Sequence, residues 1–309
     1  MLPEALKELP ANRAVVLDNQ TCAYCGSELT GAQATKEHVI GRRFVPKGTL
    51  DGEWNLIVRA CERCNSDKGL LENDISAITL FGRAWADHFR GDDSIIAREA
   101  RRKAKARSDL TGRPVGESIQ RIRGNAHLGS GLSLKFNLEA PPQVSDERLH
   151  TLAFMQMRAL FYFLTYRQTE RRGRYWRGKF IAVVEAREAN WGNARLRAFA
   201  DAVASWEPRF LGFTAKGYFG AVIRKHPFVD CWSWGLEWNN HYRLAGFFGD
   251  EKTGIAIAQS LPGPKIDLRG GDSHNGFAVS FDVPLVDEDD RLFEWNAMEV
   301  PSDEDTGAA

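Results

Sequence analysis

The chain reads as an α+β protein, a small metal-stapled N-terminal module followed by an α+β domain with a mostly antiparallel sheet. Three observations predict this. Four of the five cysteines lie in the first 64 residues as two Cys-x-x-Cys pairs, Cys22-Ala23-Tyr24-Cys25 and Cys61-Glu62-Arg63-Cys64. Beyond residue 145, helix-spaced apolar residues are mixed with short β-rich runs, among them a strand pair turned at Asn239-Asn240. The 309 residues amount to about two domains, and 43% hydrophobic with 27% charged residues is ordinary globular composition. No apolar run approaches the roughly 20 residues needed to cross a bilayer. Met1–Glu8 matches neither a secretory leader nor an Arg-rich transit segment. The expectation is therefore a cytoplasmic protein without a membrane partner.

In a reducing compartment, paired thiols at knuckle spacing match the tetrahedral demand of structural zinc, so Cys22, Cys25, Cys61 and Cys64 are the expected ligands. A redox Cys-x-x-Cys or separately buried thiols are the alternatives. Cys231, among Trp232, Trp234 and Trp238, reads as a small core residue. Between the knuckles, Val39-Ile40 and Phe44-Val45 flank Gly41 and end at Pro46-Lys47-Gly48, which predicts a strand leading into a turn. Leu56-Ile57-Val58 predicts a second strand. Leu70, Leu71, Ile75, Ile78 and Leu80 then predict a helix opening at or just after the second knuckle, with Asn65 at its start, facing back to His38.

The segment from about 20 to 75 carries, in order, the first knuckle, Glu37-His38-Val39, Asn55-Leu56, the second knuckle, Asn65 and Lys68. This succession resembles the HNH endonuclease family in its zinc-stapled branch. The resemblance implies a ββα-metal fold and metal-dependent hydrolysis of phosphodiester bonds in DNA. His38 would be the general base, because a neutral imidazole can take a proton from water at cellular pH. Glu37 and Asn65 would hold one Mg²⁺ or Mn²⁺, with Asp67 or Asp74 as supplementary ligands, since such hard cations prefer oxygen donors. Asn55 would fix the hairpin loop and orient the imidazole. Two positions depart from the pattern: Glu37 stands where the branch commonly has Asp, and Asn65 where many members carry His.

Net charge is zero from 41 basic and 41 acidic residues, but the charges are unevenly placed. Residues 76–140 hold 12 Lys/Arg against 7 Asp/Glu and residues 141–245 hold 16 against 9, whereas 246–309 hold 4 against 14. A basic middle can neutralise phosphates locally because salt screens each charge beyond about 10 Å. Arg42, Arg43 and Lys68 are expected at phosphates flanking the cut. Arg101 and Arg102 are expected to do the same on a basic helix over 94–107, and Arg171, Arg172 and Arg174 beside Tyr175 and Trp176. For each set a solvated surface is the alternative, and sheet packing is the commoner use of the tryptophans.

The organisation expected is a module over 1–107, a Gly/Pro-rich connection over 108–144 with at most short strands such as Ser133–Asn137, an α+β domain over 145–286 for target recognition or for docking a protein partner, and an acidic tail over 287–309. Ser145-Asp146-Glu147 opens a helix. Phe180–Val184 and Phe219–Ile223 read as strands, Ala194–Trp206 as a helix, and Gly254–Ala258 and Phe277–Val283 as further strands. The tail reads as solvating, partly anchored through Phe293 and Trp295, or as a phosphate mimic folded over the basic surface. No internal repeat or glycine-rich phosphate loop is present. The function expected is a free-standing DNA nuclease, of the kind used in restriction or anti-phage defence. The rival readings are a non-catalytic zinc module that binds nucleic acid, and a nuclease acting on RNA or only within a complex.

Overall fold

In the computed structural model, residues 9–31, 34–88, 95–127, 133–263, 267–268, 278–279 and 282–294 are described. The protein is mixed α+β. Strand β1 (Val15–Val16) runs parallel to β3 (Leu56–Cys61), and β2 (Ala34–His38) pairs antiparallel with the other side of β3, Glu37 opposite Val58 and His38 opposite Ile57. Helix α1 (Glu62–His88) follows β3 without a linker, and α2 (Ile95–Lys103) packs on it. Strands β4 (Gln120–His127) and β5 (Ser133–Ala140) form a hairpin over the connection, longer than the short strands expected there. Then come α3 (Asp146–Leu164), β6 (Phe180–Arg187), α4 (Ala194–Val203), β7 (Glu207–Thr214), β8 (Phe219–Lys225), β9 (Cys231–Trp238), β10 (Tyr242–Gly249) and α5 (Glu251–Ser260). Strands β6–β10 form one antiparallel sheet in the order β6-β10-β9-β8-β7.

The first strand of the hairpin ends where the predicted one was to begin. Val39, Ile40, Phe44 and Val45 are fully buried but lie in turns, because the ladder stops after Val39 N–H donates to the Leu56 carbonyl. Beyond that point the Asn55 side chain takes both backbone groups of Ile40, leaving none for a neighbouring strand. These apolar residues therefore anchor a loop. The run at Gly254–Ala258 is helical instead of extended, since Asp250 caps the backbone N–H of Thr253 at 2.9 Å and Glu251 occupies the first turn. Strand β7 went unpredicted because Pro208 and Gly212 interrupt its pattern; an edge strand tolerates both. Of the run at Phe277–Val283, Ala278–Val279 pairs with Asp267–Leu268.

The sheet is covered on both faces. Trp232, Trp234, Leu236 and Trp238 of β9 share one face at the two-residue strand period and pack against α3. Cys231, Ala245 and Phe247 join α4 on the opposite face. Helix α3 has its apolar residues buried all round because the N-terminal module lies on its far side. One continuous cluster of buried side chains thus runs from Cys22 and Phe44 through α3 to the sheet, so the segments flanking the connection share a core. The tail enters this architecture as well. Leu292 is buried, Phe293 meets Phe213 edge-on at 5.0 Å, and Asp290 takes the Arg243 guanidinium at 2.6 and 2.9 Å. Among the described residues of the tail, these partners lie in the sheet and not in the 94–107 or 171–177 basic segments. Trp295 lies outside the described residues.

Helix α1 meets the β9–β10 turn closely. A Cβ at Gly82 would stand 2.3 Å from Nε2 of the buried His241. Gly82→Ala is expected to force α1 from the turn and cost about 1–3 kcal/mol in denaturant unfolding, the usual penalty of overpacking.

Candidate functional site

The first knuckle is a tight turn in which Cys22 N–H donates to the Ser27 carbonyl and Gly26 N–H to the Cys22 carbonyl, both at 2.8 Å. Gly26 has φ +72°, and a Cβ there would stand 3.0 Å from the Tyr175 ring, so the position excludes a side chain twice over. The second knuckle bridges two elements: Cys61 ends β3 and Cys64 lies in the first turn of α1. The four Sγ atoms all lie within 4.8 Å of one another, and Cys25 and Cys61 are 3.8 Å apart. A disulfide needs about 2.05 Å. A tetrahedron with Zn–S bonds of about 2.3 Å has edges of about 3.8 Å, so the cluster fits a metal such as zinc. A hydrogen bond from the Cys64 thiol pulls Cys22 down to about 5 against its burial, and the same contact pushes Cys64 up. A cation would take the place of that shared proton.

Arg171 and Arg172 close over this knuckle. Arg171 pairs with Asp18 and donates to its carbonyl, while Arg172 grips both oxygens of Glu28 at 2.6 and 2.9 Å and holds that carboxyl below its ordinary range. In this structure they clasp the knuckle to the 167–174 loop, with both side chains still partly exposed. Arg174 keeps an exposed side chain.

On the hairpin, Glu37 is buried and His38 half-buried at the end of β2. Lys68, expected at the surface, is fully buried. Its ammonium donates to Glu37 Oε1 at 2.7 Å, Glu72 Oε1 at 2.6 Å and the His38 carbonyl at 3.0 Å. One helical turn separates Lys68 from Glu72, so the pair was legible as an i,i+4 couple, whereas the third partner comes from a strand 30 residues away. The two carboxylates hold Lys68 above the ordinary lysine value despite its burial, whereas burial outweighs Lys68 at Glu37 and raises that carboxyl. Glu72 also accepts the Gly41 N–H at 3.2 Å, tying the loop after His38 to α1.

Burial, with Arg42, Lys36 and Lys68 adding repulsion, holds the His38 imidazole below its ordinary value, hence neutral at cellular pH. Its Nε2 is buried without a hydrogen-bond partner, a demand that a water, ion or substrate atom would satisfy. Asn55 holds the adjoining loop through both backbone groups of Ile40, at 2.8 and 3.3 Å. Asn65 lies in the first turn of α1, but its Nδ2 donates to Thr35 Oγ1 at 3.0 Å and its amide oxygen is left for another partner. The supplementary ligands do not assemble. Asp74 is buried against Arg148 at 2.7 Å, and Asp67 is exposed beside Arg63. Among the described residues, the cysteine cluster alone brings three or more His, Cys, Asp or Glu ligand atoms together.

Arg42 and Arg43 are exposed on the loop after His38, and the half-buried Lys103 of α2 donates to the Arg43 carbonyl. Burial lowers Lys103 to about 8. Arg101 and Arg102 are exposed, Arg102 in a fork with Glu99. The basic helix thus sits beside the loop that carries Arg42 and Arg43, and ends at Lys103, short of the predicted Arg107. No family model, curated protein or solved structure matches the chain. No helix among the described residues is long and apolar enough to cross a membrane.

Two outcomes follow from this geometry. Purified protein should carry about one zinc per chain, and Cys61→Ser should lose it and unfold at lower denaturant, by on the order of 3–5 kcal/mol. Lys68→Met would leave the buried Glu37 and the half-buried Glu72 without their cation. It should cost about 3–5 kcal/mol in the same assay, the cost of breaking a buried ion pair from one side.

Proposed function

We propose that the protein is a metal-dependent, HNH-type nuclease that hydrolyses phosphodiester bonds in DNA, with β2, β3 and α1 as a ββα-metal module stapled by zinc. The observation that carries the proposal is His38: a neutral imidazole with an orphaned ring nitrogen, at the mouth of a hairpin whose loop Asn55, Glu72 and Lys68 immobilise. Such rigidity is what a general base needs, because the proton it takes must meet it in one place. Arg42 and Arg43, exposed on the same loop, would hold phosphates on either side of the cut and set the register of the strand.

In this reading water attacks the phosphorus, its proton passes to His38, the bond to the leaving sugar oxygen breaks, and that oxygen takes a proton from solvent. Glu37 and Asn65 are the residues that would hold the hydrolytic cation. Each has one oxygen outside the hydrogen bonds given above, which suits Mg²⁺ or Mn²⁺, ions that keep several waters and bind through few protein ligands. Such an ion supplies charge neutralisation at the phosphate when bound. Lys68 then has a positioning role, anchoring one Glu37 oxygen so that the other points away from it.

The test is cleavage of supercoiled plasmid and of structured RNA with Mg²⁺, Mn²⁺ or chelator. Wild-type protein should nick or cut the plasmid with added cation. His38→Ala should reduce the rate by about 10²–10⁴-fold while zinc content and unfolding midpoint stay at wild-type values. Cutting by His38→Ala at the wild-type rate would remove His38 from the reaction, and cutting of RNA alone would reassign the substrate.

A further inference from the structure

Away from the hairpin, a cleft of about 1020 Å³ opens between the 165–176 segment and the ends of β7, β8 and β9. Its floor is aromatic: Trp232 and Phe161 lie edge-on at 5.4 Å, with Trp176 beside Phe161 at 6.1 Å. Its rim is the 226–230 loop, where Phe228 is 89% exposed. That loop is held in shape. His226 Nδ1 accepts the backbone N–H groups of Phe228 and Val229 at 3.1 and 3.3 Å, and Cys231 N–H donates to the Val229 carbonyl at 2.8 Å. The ring of Phe228 is thus presented to water by a built turn, and His226 must carry its proton on Nε2.

The charges lining the cleft are mainly positive. Arg174 is exposed, and Lys225 lies over the Trp232 ring at 5.4 Å. Both lining carboxylates are already engaged, Glu207 by Arg209 and Asp230 by the Trp232 indole N–H at 3.0 Å. An exposed aromatic ring set beside cations, Phe228 above a floor whose Trp232 and Phe161 are themselves buried, suits nucleotides whose bases are unstacked, since a duplex hides its base faces. The volume sits at the upper end of the roughly 300–1,000 Å³ of single-ligand pockets, room for more than one nucleotide.

We propose that this cleft binds an unpaired stretch of nucleic acid, a base stacking on Phe228 and phosphates meeting Arg174 and Lys225. The proposal rests on the nuclease reading for its biological sense and specifies the substrate as one with single-stranded character. The cleft adjoins the zinc knuckle through Tyr175, whose ring packs against Gly26, so a strand bound here lies against the metal-stapled module.

The test is fluorescence anisotropy with the full chain and no added divalent cation, using short oligo-dT, oligo-rU and a duplex of equal length. Single strands should bind more tightly than the duplex, and the dT and rU arms separate DNA from RNA. Phe228→Ala should weaken single-strand binding about 5–100-fold, the range expected when one base stack is removed. Arg174→Ala should weaken it and flatten the dependence of log affinity on log salt by about 0.7 for each phosphate the variant no longer neutralises. Both side chains are exposed, and unchanged circular dichroism and zinc content would confirm intact folding. Equal binding of single strand and duplex, wild-type affinity in both variants, or displacement of the oligonucleotide by poly-glutamate but not by unlabelled oligo-dT would overturn the proposal, the last in favour of an acidic peptide. Plasmid cleavage that both variants leave untouched, with unchanged binding, would fell the cleft alone. Phe228-dependent single-strand binding by a protein that cuts nothing would fell the nuclease reading alone.

Discussion

The ammonium of Lys68 is the point on which the N-terminal module turns. A strand, the loop after it and the long helix meet at one buried cation, bonded to Glu37, Glu72 and the His38 carbonyl. Burying a lysine is costly unless its charge is matched and its donors are used, and here all three donors have oxygen partners. Two carboxylates share the one cation, so the cluster is net negative. Burial is what raises the Glu37 carboxyl above its ordinary range even with a lysine in contact, Glu72 adding repulsion, and the two carboxylates keep Lys68 charged. Such a centre fixes the spacing of β2 and α1 more tightly than apolar packing would, because ion-pair geometry leaves little freedom to slide.

That fixed hairpin is gripped from its other side by the sheet. Asn239, at φ +54° in the β9–β10 turn, donates to the Phe44 carbonyl at 3.2 Å and to Thr79 of α1 at 2.8 Å. Phe44 itself meets Trp238 edge-on at 5.4 Å, and the Trp54 indole N–H donates to the Phe213 carbonyl at 2.6 Å, where Gly212 leaves room for the ring. The loop carrying Arg42 and Arg43 is therefore immobilised by Asn55 from within and by the turn from outside. A module of this size has a small core of its own, and sharing one with α3 and the sheet supplies the burial it lacks.

The same economy governs the charges. The chain's basic middle is largely engaged in holding the fold together: Arg171 and Arg172 at the knuckle, Arg243 between Glu237 and Asp290, and Arg224 on the carbonyls of Leu292 and Glu294. Exposed cations concentrate instead on the 42–47 loop, on α2 and around the aromatic cleft. A count of lysines and arginines along the chain overstates the charge offered to a partner, since only the surface cations can release counterions from a polyanion.

The sequence by itself determined the features set by local chemistry. Two Cys-x-x-Cys knuckles can converge on one metal, Ser145-Asp146-Glu147 opens a helix, Asn239-Asn240 accepts the positive φ of a tight turn, and Leu56-Ile57-Val58 is a strand; each depends on a few neighbouring residues. Asn55 was expected to fix the loop after His38 from the family resemblance, and its side-chain amide takes both backbone groups of Ile40. Tertiary structure decided the rest. Whether Lys68 meets solvent or two carboxylates depends on which strand packs over α1, and whether Arg171 and Arg172 are free depends on Asp18 and Glu28, more than 140 residues away. The edge position of β7 was hidden for the same reason, an irregular pattern resolved by neighbours that only the folded chain supplies, whereas the Asp250 cap and first-turn Glu251 of the helix at Glu251–Ser260 are local signals. Charge and hydropathy mark what a residue can do, but burial, which requires contacts from distant segments, decides what it does.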